Sequence, residues 1–333
     1  MSNVQELPMH KPEKLPLLQV ALAEQEMVAE KAINRLKELG ITTAANSGLE
    51  MLLALQKWQE GTEKMLSSGL PDLDKSLGGG FEKGQLIIVA ARPSAGKSIL
   101  AMNIAESLAT ETRSSLFLSL EMSSVALQMR LACKNTGIKL ERMKTKGELK
   151  MEDFSKISIH LMDLQKKRLY LTEKSNISVD GIIERIIALQ AVEPDLGMVA
   201  IDYLQLISTS KKSNASNRQE EVSQITRQLK IASQELQVPI LLACQLNRGT
   251  ESRTDKRPQL GDLRESGAIE QDADIVLGIY REELYYRDKE EVKGIAEICV
   301  LKNRDGETGS AMMKFDGPGF AFRNYAPETY DRY

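Results

Sequence analysis

Apolar residues in this chain follow two rhythms. Short, nearly unbroken runs occur at Leu86–Val89, Ser115–Leu120, Met198–Ile201, Pro239–Cys244 and Asp274–Tyr280. Continuous runs of that length predict strands of a sheet rather than helices. Helical spacing governs Ser98 to about Ala109, most of 122–190 apart from a strand near 169–172, and 219–236 ahead of Pro239. The alternation of strand and helix predicts an α/β fold. Near the C-terminus, Ala296–Leu301 and Ala311–Phe315 flank a Gly-bearing turn at 303–309 and predict a hairpin.

The first residues read differently. Residues 1–15 hold two prolines and several charges, and are expected to form a flexible arm. Leu17, Leu18, Val20, Ala21, Met27, Val28, Ala32, Ile33 and Leu36 recur at helical spacing, with Gly40 as the residue that ends the helix. Ser47 is placed to cap a second helix carrying Leu49, Leu52, Leu53, Leu55 and Trp58, which ends near Gly61. Two such helices bury little alone. They pack on the main domain, on a neighbouring subunit, or on each other as a hairpin. The expected organisation is an arm at 1–15, a helical segment at 16–66 and a main domain at 67–333, entered through a turn-rich stretch at 67–81. Residues 211–218 read as a polar, basic loop. Residues 247–270, poor in apolar side chains, read as function or mobility rather than core.

Composition narrows the class. The 333 residues are 42% hydrophobic and 27% charged, as in an ordinary soluble protein. No apolar run approaches the ~18 residues of a membrane span, and the N-terminus has no signal-peptide pattern. Net charge is −3, so any nucleic-acid site must be local. Three separated cysteines and two histidines offer no zinc cluster and suit reduced thiols in the cytoplasm.

The chemistry starts at Ala91-Arg92-Pro93-Ser94-Ala95-Gly96-Lys97-Ser98, between a predicted strand and a predicted helix. That context is what a phosphate-binding loop requires: backbone amides at a helix N-terminus surround the phosphates. Lys97 would reach the β- and γ-phosphates, and Ser98 would meet Mg²⁺. The first glycine of the usual pattern is Ala91, which should keep an ordinary backbone conformation. Glu121 ends the second strand and is a candidate general base, or simply an acid at a helix start. Asp202 ends an apolar strand, as an acid that holds Mg²⁺ through water would. Gln245, at the tip of another strand, can sense a γ-phosphate by hydrogen bonding. Lys302 and Arg304 lie two apart on a strand. They either guard a sheet edge or reach a neighbour's nucleotide.

Several stretches together resemble one family. A-R-P-S-A-G-K-S (91–98), S-L-E-M-S (119–123), I-D-Y-L-Q-L (201–206), Q-L-N-R (245–248), D-K-R-P (255–258), D-L-R-E-S-G-A-I-E-Q-D-A-D (262–274) and K-N-R-D-G (302–306) are similar to the motor domain of the replicative hexameric DNA helicases of the DnaB type. The similarity runs from about Ser67 to Tyr325. It implies a RecA-like P-loop ATPase core with a mainly parallel central sheet, preceded by a short helical segment. It implies a homo-oligomer, a ring of six, that uses ATP and Mg²⁺ to travel 5′ to 3′ on single-stranded DNA and unwind duplex. On that resemblance Lys97 and Ser98 bind phosphate and metal, Glu121 is the base, Asp202 the metal acid, and Gln245 the link to the DNA loops. Lys302 and Arg304 act on the adjacent subunit's ATP, and Arg264, Glu265 and Gly267 hold the DNA backbone. Arg264 and Glu265 can otherwise form a surface ion pair of little energetic weight.

One departure stands out. The family carries a larger globular helical domain before a linker helix, whereas here about 65 residues precede the motor. The helix from Leu49 to Glu60 takes the linker position, and the collar is expected to be missing or reduced. Contacts with a helicase loader or a primase depend on it. Two other readings remain at this point: a RecA-like ATPase that assembles on DNA or protein without unwinding, and a non-catalytic ring component or decoy.

Overall fold

The computed structural model describes residues 31, 33–36, 38–61, 65–173, 177–209, 218–263 and 266–325. The chain divides into two units, with the boundary between Lys64 and Met65. The expected arm at 1–15, most of the first predicted helix and nearly all of the 211–218 loop lie outside the described residues.

In the first unit, Gly40 takes the predicted left-handed position, φ 72°. Ile41 N–H closes the end of the preceding helix on Leu36 O. Helix α1 spans Ala44–Gln59, and its cap is Thr43, whose side chain accepts from Asn46 N–H at 3.2 Å. Ser47 is therefore not the cap. It lies inside a helix that starts a turn earlier than the apolar pattern suggests. No residue of α1 is buried, and Leu49, Leu52, Leu53 and Trp58 are exposed.

In the second unit the order is α2 (Pro71–Ser76), β1 (Leu86–Ala91), α3 (Lys97–Leu108), β2 (Ser114–Ser119), α4 (Ser124–Thr136), α5 (Leu140–Lys144), α6 (Met151–Lys166), β3 (Arg168–Glu173), β4 (Ile177–Ser178), α7 (Val179–Gln190), β5 (Leu196–Asp202), β6 (Ile207–Ser208), α8 (Arg218–Leu236), β7 (Ile240–Gln245), α9 (Ser266–Asp272), β8 (Ile275–Tyr280), β9 (Ile295–Asn303), β10 (Gly309–Asp316) and β11 (Ala321–Asn324). The main sheet runs β11-β10-β9-β8-β1-β7-β5-β2-β3. From β8 to β3 every pairing is parallel, whereas β9, β10 and β11 extend the sheet antiparallel.

Both faces of the parallel part are covered, so its strands are apolar at successive positions. On one face Ile87, Val89 and Ala91 of β1 pack with Leu100, Ile104 and Leu108 of α3. On the other, Leu86, Ile88 and Ala90 pack with Ile182 and Ile186 of α7 and Ile225 and Leu229 of α8. The predicted hairpin is β9–β10, but β9 is no edge. It lies between β8 and β10, and β11 is the outer strand, so Lys302 and Arg304 do not guard the sheet's edge strand. The 247–270 stretch is better anchored than its polarity suggests. Leu263 and Ile269 are buried, and Arg253 grips Asp262 at 2.7 Å.

The start of β1 is held by one buried carboxylate. Asp274 Oδ2 accepts from Leu86 N–H at 2.7 Å and from Lys230 Nζ at 2.6 Å. Lys230 Nζ also donates to Gly84 O at 3.0 Å. Lys230→Met leaves that carboxylate without its close cation, and is expected to cost about 3 kcal/mol in urea denaturation. A midpoint equal to that of the parent would contradict this. Cys133, Cys244 and Cys299 are buried, and burial pushes the Cys299 thiol up to about 12. A thiol reagent at pH 8 should therefore spare Cys299 in the folded protein and label it in urea.

Candidate functional site

Loops and chemistry collect at the carboxyl ends of the parallel strands. Ala91 and Gln245 are paired at the ends of β1 and β7, and Ser119 and Asp202 at the ends of β2 and β5. Leu120 N–H donates to Asp202 O at 2.8 Å, which fixes the backbone of the exposed Glu121 above that acid. These ends surround a cavity of about 410 Å³ lined by Ser94, Gly96, Lys97, Ser98, Glu121, Arg130, Tyr203, Gln245 and Phe320, among others.

The loop after β1 has a built conformation. Ala95 N–H closes on Arg92 O at 3.2 Å, with Pro93 second and Ser94 third at φ 64°. That is the pattern of a type II turn with serine where glycine is usual. Gly96 caps α3 at φ 111°, and a Cβ there would come within 3.0 Å of the Phe315 and Phe322 rings. Those residues are register partners on β10 and β11 and pack at 5.0 Å between ring centroids. Ala91 has an ordinary φ, as expected for the last residue of a strand. Arg92 points its guanidinium elsewhere, to Leu246 O at 2.9 Å and to Glu251 Oε1 at 2.5 Å.

Lys97 and Arg130 are both cations lining the cavity. Lys97 is the one paired with a carboxylate there. Its Nζ lies 3.0 Å from Asp202 Oδ1 and 4.1 Å from the centroid of the Tyr203 ring. Burial, with Glu121 and Asp202 nearby, pushes the Tyr203 hydroxyl above its usual range. Asp202 is buried, and its Oδ2 meets no hydrogen-bond partner among the described residues. Arg130 has no counterpart among the residues expected from the sequence. It sits on the inner side of α4, beside Leu127 and Leu131, with its guanidinium 5.0 Å from the centroid of Phe320. Burial pulls its pKa below the usual arginine value, against the pull of Asp202 and Glu121. A charged residue on the apolar stripe of a helix is the one signal that could have found it.

The cavity fits a hydrated divalent ion. No group of three His, Cys, Asp or Glu side chains that could cage a metal occurs among the described residues. A hydroxyl at Ser98 and a buried carboxylate with a free oxygen at Asp202 match an ion that keeps waters and takes its other ligands from phosphate.

Lys302 and Arg304 are not brought to this cavity. Lys302 Nζ donates to Glu270 O and Ala273 O, both at 2.6 Å, at the end of α9. Arg304 is exposed, with Nη1 3.5 Å from Asp274 Oδ1. Asp274 N–H donates to Leu86 O, so Arg304 lies level with the start of β1, a strand length from the phosphate loop. At ~3.3 Å per residue that is about 17 Å. Arg264 and Glu265 lie outside the described residues. Gly267 is exposed at the start of α9, and a Cβ there would meet nothing within 4 Å. A larger cleft of about 630 Å³, lined by Glu106, His160 and Lys167, lies elsewhere. Burial pushes Glu106 up, but Lys134, Lys167 and Asn135 together hold it below its ordinary value.

The model of the DnaB-like helicase C-terminal domain matches residues 65–324. The replicative DNA helicase DnaB of Geobacillus stearothermophilus is 41% identical over 285 residues, covering 85% of this chain and 60% of the relative. The replicative DNA helicase DnaC of Bacillus subtilis (strain 168) is 44% identical over 251 residues, covering 75% and 54%. The chain thus spans a little over half the length of these relatives. Among solved structures, the ATPase domain of G40P superposes with a TM-score of 0.76 at 32% identity, covering 83% of this chain and 98% of that one. A DnaB-like replicative helicase, solved in a study of its interactions with primase, gives 0.76 at 28% identity, covering 92% and 76%.

The loop geometry has a direct consequence. Gly96→Ala combines a left-handed backbone with a clash on two rings, and is expected to cost about 1–3 kcal/mol of stability. A denaturation midpoint unchanged from the parent would show that the glycine is not required.

Proposed function

The chain belongs to the DnaB-like helicases, and from that premise we propose that it is a ring motor that hydrolyses ATP with Mg²⁺ to move 5′ to 3′ on single-stranded DNA and part the duplex. The fold is the RecA-like ATPase core, a mostly parallel sheet with helices on both faces. One observation supports the reading most. Lys97, Ser98, Glu121 and Gln245 line one cavity at one end of the sheet, with Asp202 paired to Lys97, while Arg304 sits at the other end.

In this reading the loop amides and Lys97 hold the β- and γ-phosphates. Lys97 exchanges Asp202 for phosphate oxygen as nucleotide enters. Ser98 and Asp202 would hold a hydrated Mg²⁺, which would supply charge neutralisation to the phosphates. Glu121 takes a proton from the attacking water, and Arg130 faces the same cavity from α4. Gln245 hydrogen-bonds where the γ-phosphate changes to product. Arg304 cannot serve its own subunit's nucleotide across the length of β1, so it serves the next subunit's and clamps phosphoryl oxygens. Lys302 joins it by exchanging the α9 carbonyls for phosphate. Each reaction centre is then complete only between two subunits.

Single-stranded DNA would lie against Arg264, Glu265 and Gly267. The open space at Gly267 supports this: nothing in the fold needs glycine there, whereas a backbone amide approaching a phosphate does. The exposed apolar residues of α1 support its packing on an adjacent subunit. The division at 64/65 supports a helical segment before a motor domain that begins near residue 67. Contact with a primase or a loader is inferred by analogy with the helicase studied with its primase. A replication role supports a cytoplasmic location.

Lys97→Ala should abolish ATP hydrolysis and strand separation; full unwinding by that variant would refute the site. Gly267→Ala is expected to fold with equal or slightly higher stability, since alanine favours helix by about 0.5–1 kcal/mol. Its ATPase should respond less to single-stranded DNA. An unaltered DNA response would remove Gly267 from the DNA path.

A further inference from the structure

Arg281 follows β8 directly, far from the phosphate loop in sequence. Its Nη1 nevertheless donates to Ser94 O at 2.9 Å. Its guanidinium carbon lies 3.7 Å from the centroid of Phe315, the ring that also bounds Gly96. Nη2 and Nε are held by Glu283 Oε1 at 2.5 and 2.9 Å. Glu283 is fixed in turn, because its Oε2 accepts from Gly294 N–H at 3.0 Å. The arginine side chain is 11% exposed.

These contacts meet a specific need. The turn Arg92–Ala95 puts Ser94, not glycine, at positive φ. A serine there relaxes unless something holds its carbonyl outward. The turn must keep this shape for its amides to converge on one anion. Arg92 does not supply the restraint, because its guanidinium bonds Leu246 O and Glu251.

We propose that Arg281, seated on Phe315 and fixed by Glu283, is a positioning residue that locks the phosphate loop in its anion-binding shape from outside the cavity lining. The inference rests on the nucleotide reading of that loop. Arg281 touches no substrate. It sets affinity through the loop backbone rather than taking part in phosphoryl transfer.

The test compares the parent 333-residue chain with Arg281→Met, Arg281→Lys and Glu283→Gln. ADP with Mg²⁺ is titrated by calorimetry, ATP turnover gives KM and kcat, and amide exchange is followed over residues 92–99. Arg281→Met should weaken ADP binding and raise KM by about tenfold or more, the weight of a charged hydrogen bond. It should leave kcat at saturation close to that of the parent and speed exchange within 92–99 selectively. Lysine, which can donate to Ser94 O but cannot stack or fork, should fall between. Parent-like affinity and loop exchange in Arg281→Met would overturn the proposal. So would faster exchange spread evenly over the domain, the mark of a general structural role. If Arg281→Met does not fold, Glu283→Gln carries the same comparison with the same two outcomes. If the parent itself binds no ADP, the nucleotide reading falls, while loop exchange in the variants still decides whether Arg281 holds the turn.

Discussion

A strand buried on both faces has no room for charge along its length. All six residues of β1 are buried, with helices on one side and the other. Polar chemistry is therefore confined to the two ends of the sheet. At the carboxyl end the backbone turns into the candidate phosphate loop, and Lys97, Glu121 and Gln245 gather around it, with Asp202 paired to Lys97. At the amino end, Asp274 takes the first amide of β1, the Lys230 ammonium and a long contact from Arg304. The apolar strand both separates and joins the two.

The antiparallel extension ties these ends together. β9 finishes near Arg304, and β10 and β11 bring Phe315 and Phe322 back against Gly96. One piece of sheet thus carries a cation offered outward at one end and a wall for the chain's own phosphate loop at the other. Lys302 adds a third connection through its bonds to the end of α9, whose other end starts at the DNA-facing candidates. Nucleotide, neighbour and DNA candidates are all reached within one or two elements.

Much of this was legible in the sequence. Unbroken apolar runs marked the parallel strands because both of their faces are covered. Gly96, Lys97 and Ser98 followed one of them at the spacing that a phosphate loop needs. What stayed hidden depends on contacts between distant residues. Arg281 and Ser94 meet only because β8 lies beside β1. Arg130 reaches the cavity only because α4 leans over it. β11 and α9 are short, and short elements leave little periodicity. The 247–270 stretch looked loose because a few buried residues, Leu263 and Ile269 among them, anchor a long polar path.

The separation of the two ends makes subunit sharing measurable. Lys97→Ala has a damaged loop and an intact Arg304, and Arg304→Ala has the reverse. Purified separately, each should hydrolyse ATP poorly. Mixed before assembly, some interfaces pair the sound loop of one variant with the sound arginine of the other, and ATPase activity should rise above that of either alone. A mixture that never exceeds the sum of its parts would contradict a reaction centre divided between neighbours.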